Sequence, residues 1–252
     1  MDIIDKIGIL VLATSNKRDE WKNIKETYLF NFTIKTFLYT MDKEHEYIFY
    51  IGIDKYDRIF DNEKEQNEVI RLSKVFPNVI FRFISFDNIP KGYVTLMWNR
   101  LYDISYKENC IYFYQCGDDI IFKTKGWINA CIHQMKKTKG IGLTGPINNN
   151  NRILTQAFVT RRHMAIFGWF FPKEIKNWCC DDWYNYLYSP IFLFPLKQHF
   201  CANVGGVERY DIDNNANFSK NLINNTISLR NYAQTLATDH KKLIYNYIKR
   251  VK

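Results

Sequence analysis

No segment of this 252-residue sequence is long and apolar enough to span a bilayer. The first apolar run, Ile7 to Leu12, follows two Asp and precedes a charged stretch, so it reads as neither a signal peptide nor an anchor. The runs IIF, FGWFFP and IFLFPL are short as well. Cysteine is sparse and unpatterned. The six thiols, at positions 110, 116, 131, 179, 180 and 201, include no C-x-x-C pair; they read as reduced, buried residues of a cytoplasmic protein rather than as bridges or a zinc site. A Gly/Ser/Pro linker and internal repeats are missing too, which leaves one large domain as the expectation. There is no Walker loop and no G-x-S-x-G elbow, so P-loop and α/β-hydrolase chemistry lose their support.

What is present is an ordinary globular balance, 46% hydrophobic and 24% charged, which excludes a disordered or collagen-like chain. Lys+Arg number 35 against 26 Asp+Glu, a formal net charge of +9. That admits polyanionic partners: nucleic acid, anionic lipid or a nucleotide diphosphate.

Apolar β-branched runs alternate with helical spacing. Strands are predicted at Ile7 to Ala13, Tyr47 to Ile53, Val79 to Phe86 and Ile111 to Tyr114. Helices are predicted at Lys17 to Phe30, capped by Ser15 or Asn16, and around Asn62 to Val75, Val94 to Tyr106 and Trp127 to Lys137. This rhythm predicts an α/β domain with a mixed, mainly parallel central sheet flanked by helices. The rhythm changes after Gly145-Pro146, which divides the domain into a first part of about residues 1–145 and a second of about 146–213, followed by a helical extension, 214–252, packed on the same domain. The last helix, Asp239 to Lys252, carries Leu243, Ile244, Tyr247, Ile248 and Val251 on one face, and its basic residues allow a peripheral membrane contact.

Ligands of open α/β sheets bind outside the carboxyl ends of strands, where Thr14, Ser15, Asp54 and the pair Asp118-Asp119 fall. Adjacent carboxylates after a buried strand repel each other, and a divalent cation removes that cost while accepting phosphate oxygens. The literal G-x-G-x-x-G at Gly140 to Gly145 follows a helix instead of a strand, so it is no dinucleotide fingerprint. Near Trp178, Trp183 and Tyr184, the acids Asp181 and Asp182 fall in the first turn of a helix capped by Asn177, where a helix dipole keeps a proton acceptor ionised. Aromatics beside carboxylates suit a sugar.

These residues resemble nucleotide-sugar glycosyltransferases of GT-A fold over roughly Ile7 to Tyr210. YFYQCGDDI and TQAFVTRRHMAIFGWFFPKEIKNWCCDDWYNYLY look like a subgroup found in protists, algae and giant viruses, with Gly117 where strict Asp-x-Asp has its first acid. The resemblance implies a Rossmann-like domain transferring a sugar, with inversion, from a UDP-sugar to a glycan, protein or lipid hydroxyl. It implies Thr14, Ser15, Arg18 and Asp54 toward the nucleotide, Asp118 toward the ribose, and Asp119 holding Mn2+ or Mg2+, with His199 or Asn203 as a late ligand. Asp182 would be the base, with Asp181 its alternate; Trp169, Phe170 and Trp183 would meet the acceptor. Arg161, Arg162 and His163 could reach phosphate or acceptor. A nucleotidyltransferase, which also needs carboxylates and metal, is the alternative, and a basic RNA-binding module a more distant one; no nucleic acid is expected.

Overall fold

The computed structural model describes residues 5–206, 209–210 and 226–251. Continuous apolar runs give its first strands: β1 (Lys6–Ala13) and β2 (Glu46–Asp54) are buried on both faces at every residue but the first. β3 (Val79–Phe86) and β4 (Tyr112–Gly117) flank them, and β1 to β4 are mutually parallel neighbours in the order β3-β2-β1-β4. The sheet continues past β4 through β7 (Ala157–Thr160), β6 (Leu143–Ile147), β8 (Leu193–Asn203) and the short β5 (Ile120–Phe122). There β4–β7, β6–β7 and β5–β8 run antiparallel while β6–β8 is parallel, so the predicted mixed sheet is the one observed.

Side chains alternate across this sheet and feed two apolar layers. Ile7, Ile9 and Val11 join Phe37, Phe49 and Trp127 on one side; Leu10, Leu12 and Ile48 join Leu101, Phe113 and Trp183 on the other. Helices α1 (Lys35–Thr40), α2 (Glu63–Ile70), α3 (Val94–Lys107) and α4 (Trp127–Lys137) follow the early strands. α5 (Arg161–Phe167), α6 (Cys180–Tyr188) and α7 (Thr226–Val251) complete the described helices. All six cysteines are free and buried.

The helix predicted at Lys17 to Phe30 does not form. Its first carbonyls are taken by arginine side chains: Arg58 donates to the oxygens of Trp21 (2.6 Å) and Arg18 (3.0 Å), and Arg18 to that of Lys17 (2.8 Å). Helical backbone becomes continuous only from Leu29, although Trp21 and Ile24 are buried as their spacing required. The last helix starts at Thr226 rather than Asp239 and packs on α6 and α5, burying Leu229, Ala233, Ala237, Ile244 and Tyr247. Leu243 and Val251, expected on the same face, are exposed. The boundary expected at 213/214 lies outside the described residues. Among the described residues no helix is long and apolar enough to cross a membrane.

Candidate active site

Strand register brings the expected residues together. Ala13 pairs with Ile53 and Leu12 with Gly117, so Thr14, Asp54 and Asp118 emerge side by side at the carboxyl ends of β1, β2 and β4. A cleft of about 400 Å³ opens there, floored by Leu12, Gln115 and Gly117.

At one end, Tyr210 Oη donates to Asp54 Oδ2 at 3.0 Å, and Thr14 Oγ1 contacts the same oxygen at 3.4 Å. Burial lifts the Asp54 carboxyl above its usual range, opposed by the Tyr210 hydrogen bond. Ser15 is committed elsewhere: its amide (2.7 Å) and hydroxyl (2.9 Å) both donate to Asp57, which also accepts from the amides of Ile59 and Phe60. Asp57 therefore fastens the β1 turn to the β2 turn. The sequence reading passed over it, and its position three residues beyond Asp54 was the only signal.

In the middle, Asp118 is fully buried and held by Arg209 through two hydrogen bonds of 2.5 Å, while Asp119 Oδ2 lies 3.8 Å from the same guanidinium. Asp118 thus faces an arginine rather than open space for a ribose. Asp119 is pushed up to about 6 by burial and by the Asp118 charge. It sits in a cradle that only glycines leave: a Cβ at Gly205 would come within 1.7 Å of Asp119 Oδ2, and one at Gly117 within 2.4 Å of Oδ1. Arg18 is buried nearby, donating to the Gly205 carbonyl at 2.8 Å.

At the far end the two acids of α6 part company. Asp181 lines the cleft and accepts the Asp182 amide at 2.9 Å; burial and the neighbouring Asp182 charge push it up to about 6. Asp182 is buried and turned away, its two oxygens bridged by Arg152 with Arg230 Nε at 3.3 Å. The residue expected as base is therefore saturated with cations, and its neighbour is the one in the cleft. Cys179 in left-handed conformation precedes the helix, not a capping Asn177 side chain.

The aromatic expectations are corrected. Trp183 and Phe170 are buried in the packing beneath the cleft, and Trp169 packs tilted against Trp183 and edge-on against His240 of α7. The cleft wall is made instead by Trp98, Trp178 and Tyr184. His163 is sealed between Tyr188 Oη (2.6 Å) and the Phe170 carbonyl, and burial drops it to about 4. Arg161 is spent on the carbonyls of Tyr106 and Cys110, at the opposite end of β4.

His199 does not reach Asp119. The Asp119 carbonyl accepts from the amide of Val204, just past the end of β8 and five residues, or about 16 Å of extended chain, beyond His199, which lies beside Gly126. Asn203 does line the cleft. Among the described residues no group of three or more His, Cys, Asp or Glu could hold a metal. The chemistry that fits is narrower. A hard divalent cation held by one carboxylate needs its remaining oxygens from substrate phosphate and water, and Asp119, raised by burial and by the Asp118 charge and open to the cleft, offers that single ligand.

The mixed eight-stranded sheet with its flanking helices matches a GT-A-like Rossmann fold. Solved structures agree on the fold. S. aureus TarS 1-349 in complex with UDP-GlcNAc superimposes with a TM-score of 0.53 at 9% identity over 81% of this chain. The same fragment in complex with UDP gives 0.51 at 9% identity over 78%. This chain spans 60% of the length of those fragments and 37% of a longer TarS chain. No protein-family model matches the sequence, and no curated protein matches it.

Proposed function

We propose that the chain is a glycosyltransferase that moves a sugar from a nucleotide diphosphate donor, a UDP-sugar, to a hydroxyl acceptor with inversion. The observation that carries this reading is one cleft lined by two carboxylates from different elements, Asp119 after β4 and Asp181 at the start of α6, both raised to about 6. The TarS structures with UDP-GlcNAc and UDP support the donor class. The likeness to a subgroup of protists, algae and giant viruses remains one of two sequence stretches.

Asp54, Thr14 and Tyr210 offer polar edges to the base. Arg209 and Arg18 place permanent positive charge beside the diphosphate, stabilising it as it departs. A divalent cation on Asp119 would supply further neutralisation of the leaving group. Asp181 takes the proton from the acceptor oxygen as that oxygen attacks the anomeric carbon from the face opposite the diphosphate. A carboxylate near 6 is ionised at neutral pH yet basic enough to share the proton in the transition state. Trp98 and Trp178, half-buried in the cleft wall, stack on the sugar faces, and Tyr184 backs the wall from within the core. Asp182 holds no reacting atom; with Arg152 and Arg230 it fixes the start of α6.

The test is UDP release and product formation from a panel of UDP-sugars with simple glycoside acceptors. Asp181→Asn should lower kcat by about 10²–10⁴ with donor affinity unchanged, and NMR of the product from an α-linked donor should show a β linkage. An α product, or an active Asp181→Asn enzyme, contradicts the assignment.

A further inference from the structure

At the opposite end of β4 from the cleft lies a second, larger hollow, about 580 Å³, lined by Lys136, Lys139, Arg161 and Arg162 and by no Asp or Glu. It sits where Tyr112, the first residue of β4, pairs with Thr160, the last of β7. None of the four cations forms an ion pair among the described residues. Arg161 is fixed, stacked 3.6 Å over Tyr106 while donating to two carbonyls, so its charge is a permanent part of the wall. Arg162 donates to Tyr247 Oη and lies 5.8 Å from the centre of the Tyr247 ring, and Arg250 lies 6.0 Å from the same ring. Tyr247 thereby joins this hollow to a neighbouring one of about 510 Å³ lined by Ile166, Leu243, Lys249 and Arg250. Leu243 is 38% exposed and Val251 55% exposed on the same end of α7.

From this arrangement we infer that the face built by the end of α4, the start of α5 and the end of α7 docks on an anionic lipid bilayer, with headgroup phosphates entering the two basic hollows. Unpaired cations interleaved with exposed aliphatic side chains are the chemistry of an interfacial contact. A free phosphate would want donors converging on one point, whereas these hollows are many times its size. RNA would want open aromatic faces to stack on, and Tyr106 and Tyr247 are covered by guanidinium groups. The cleft opens at the other end of β4, about 20 Å away, so a docked molecule presents it to the aqueous side, to acceptors standing off the membrane. The inference stands apart from the transferase reading.

Flotation of the full chain with phosphatidylcholine vesicles containing 30% phosphatidylserine, against phosphatidylcholine alone, reads it directly. Binding should require the anionic lipid and weaken with salt. Lys136→Glu/Lys249→Glu, both at exposed positions, should cut the partition coefficient at least 25-fold, about fivefold per charge lost. Lys64→Glu, exposed on α2, should leave it unchanged. Equal binding to neutral vesicles, equal losses in both variants, or no flotation overturns the inference. So does a chain that ignores vesicles but binds a single-stranded RNA 20-mer or is thermally stabilised by pyrophosphate, with either effect abolished by Lys136→Glu/Lys249→Glu.

Discussion

A carboxylate that burial raises to about 6 costs the folded state free energy whenever it is ionised, and Asp181 is such a group. Its folded value lies above the unfolded one, near 4, so its contribution to stability is fullest below pH 4 and is lost as pH rises to 6. Asp181→Asn keeps the shape and the hydrogen bond from the Asp182 amide while removing the charge. It should stabilise the protein by about 2–3 kcal/mol at pH 8 and by nearly nothing at pH 4, seen as a Tm difference that grows with pH. An inactive variant that is also more stable is the signature of a site held against the fold's preference. The rate should follow the same groups. Asp119 and Asp181 must both be ionised, so log kcat/KM should fall below pH 6 with a slope between about one and two. A profile flat from pH 5 to 8 removes both from the mechanism.

At the scale of elements, α6 is where the chain decides which acid works. Adjacent helical residues point about 100° apart, so only one of Asp181 and Asp182 can face the cleft. Arg152, from the loop after β6, and Arg230, from α7, capture Asp182. Asn185, one turn on, clasps both the amide and the carbonyl of Leu154. Asp182→Asn should therefore lose about 1–3 kcal/mol in denaturant unfolding while keeping kcat within about tenfold, the reverse of its neighbour on both counts. Both acids were legible as a helix-start pair. The choice between them was not, because it rests on arginines 30 and 48 positions away. The same holds elsewhere. β1, β2, β3, α3 and α4 matched their predicted spans within a residue, and β4 ran three residues past its predicted end, to Gly117, since apolar runs and helical spacing are local signals. β8 was missed: most of its residues are exposed or half-buried, and Pro195 interrupts the pattern. Trp169, Phe170 and Trp183 looked like a sugar platform, but α7, packing from far along the chain, turned that cluster into core.

Across the whole molecule, charge and chemistry are separated by the sheet. Acids gather at the carboxyl ends of β1, β2 and β4, each answered by a buried arginine or tyrosine; unanswered cations gather at the other end. That polarity was foreshadowed by the net charge, but its placement required the fold. The central claim is that the cleft binds a nucleotide diphosphate sugar through Asp119, and isothermal titration calorimetry of UDP and UDP-sugars with manganese tests it most directly. The account predicts saturable binding that weakens at least tenfold in EDTA or in Asp119→Asn and is unchanged in Asp182→Asn. No heat with any uridine nucleotide, or one affinity throughout, would contradict it.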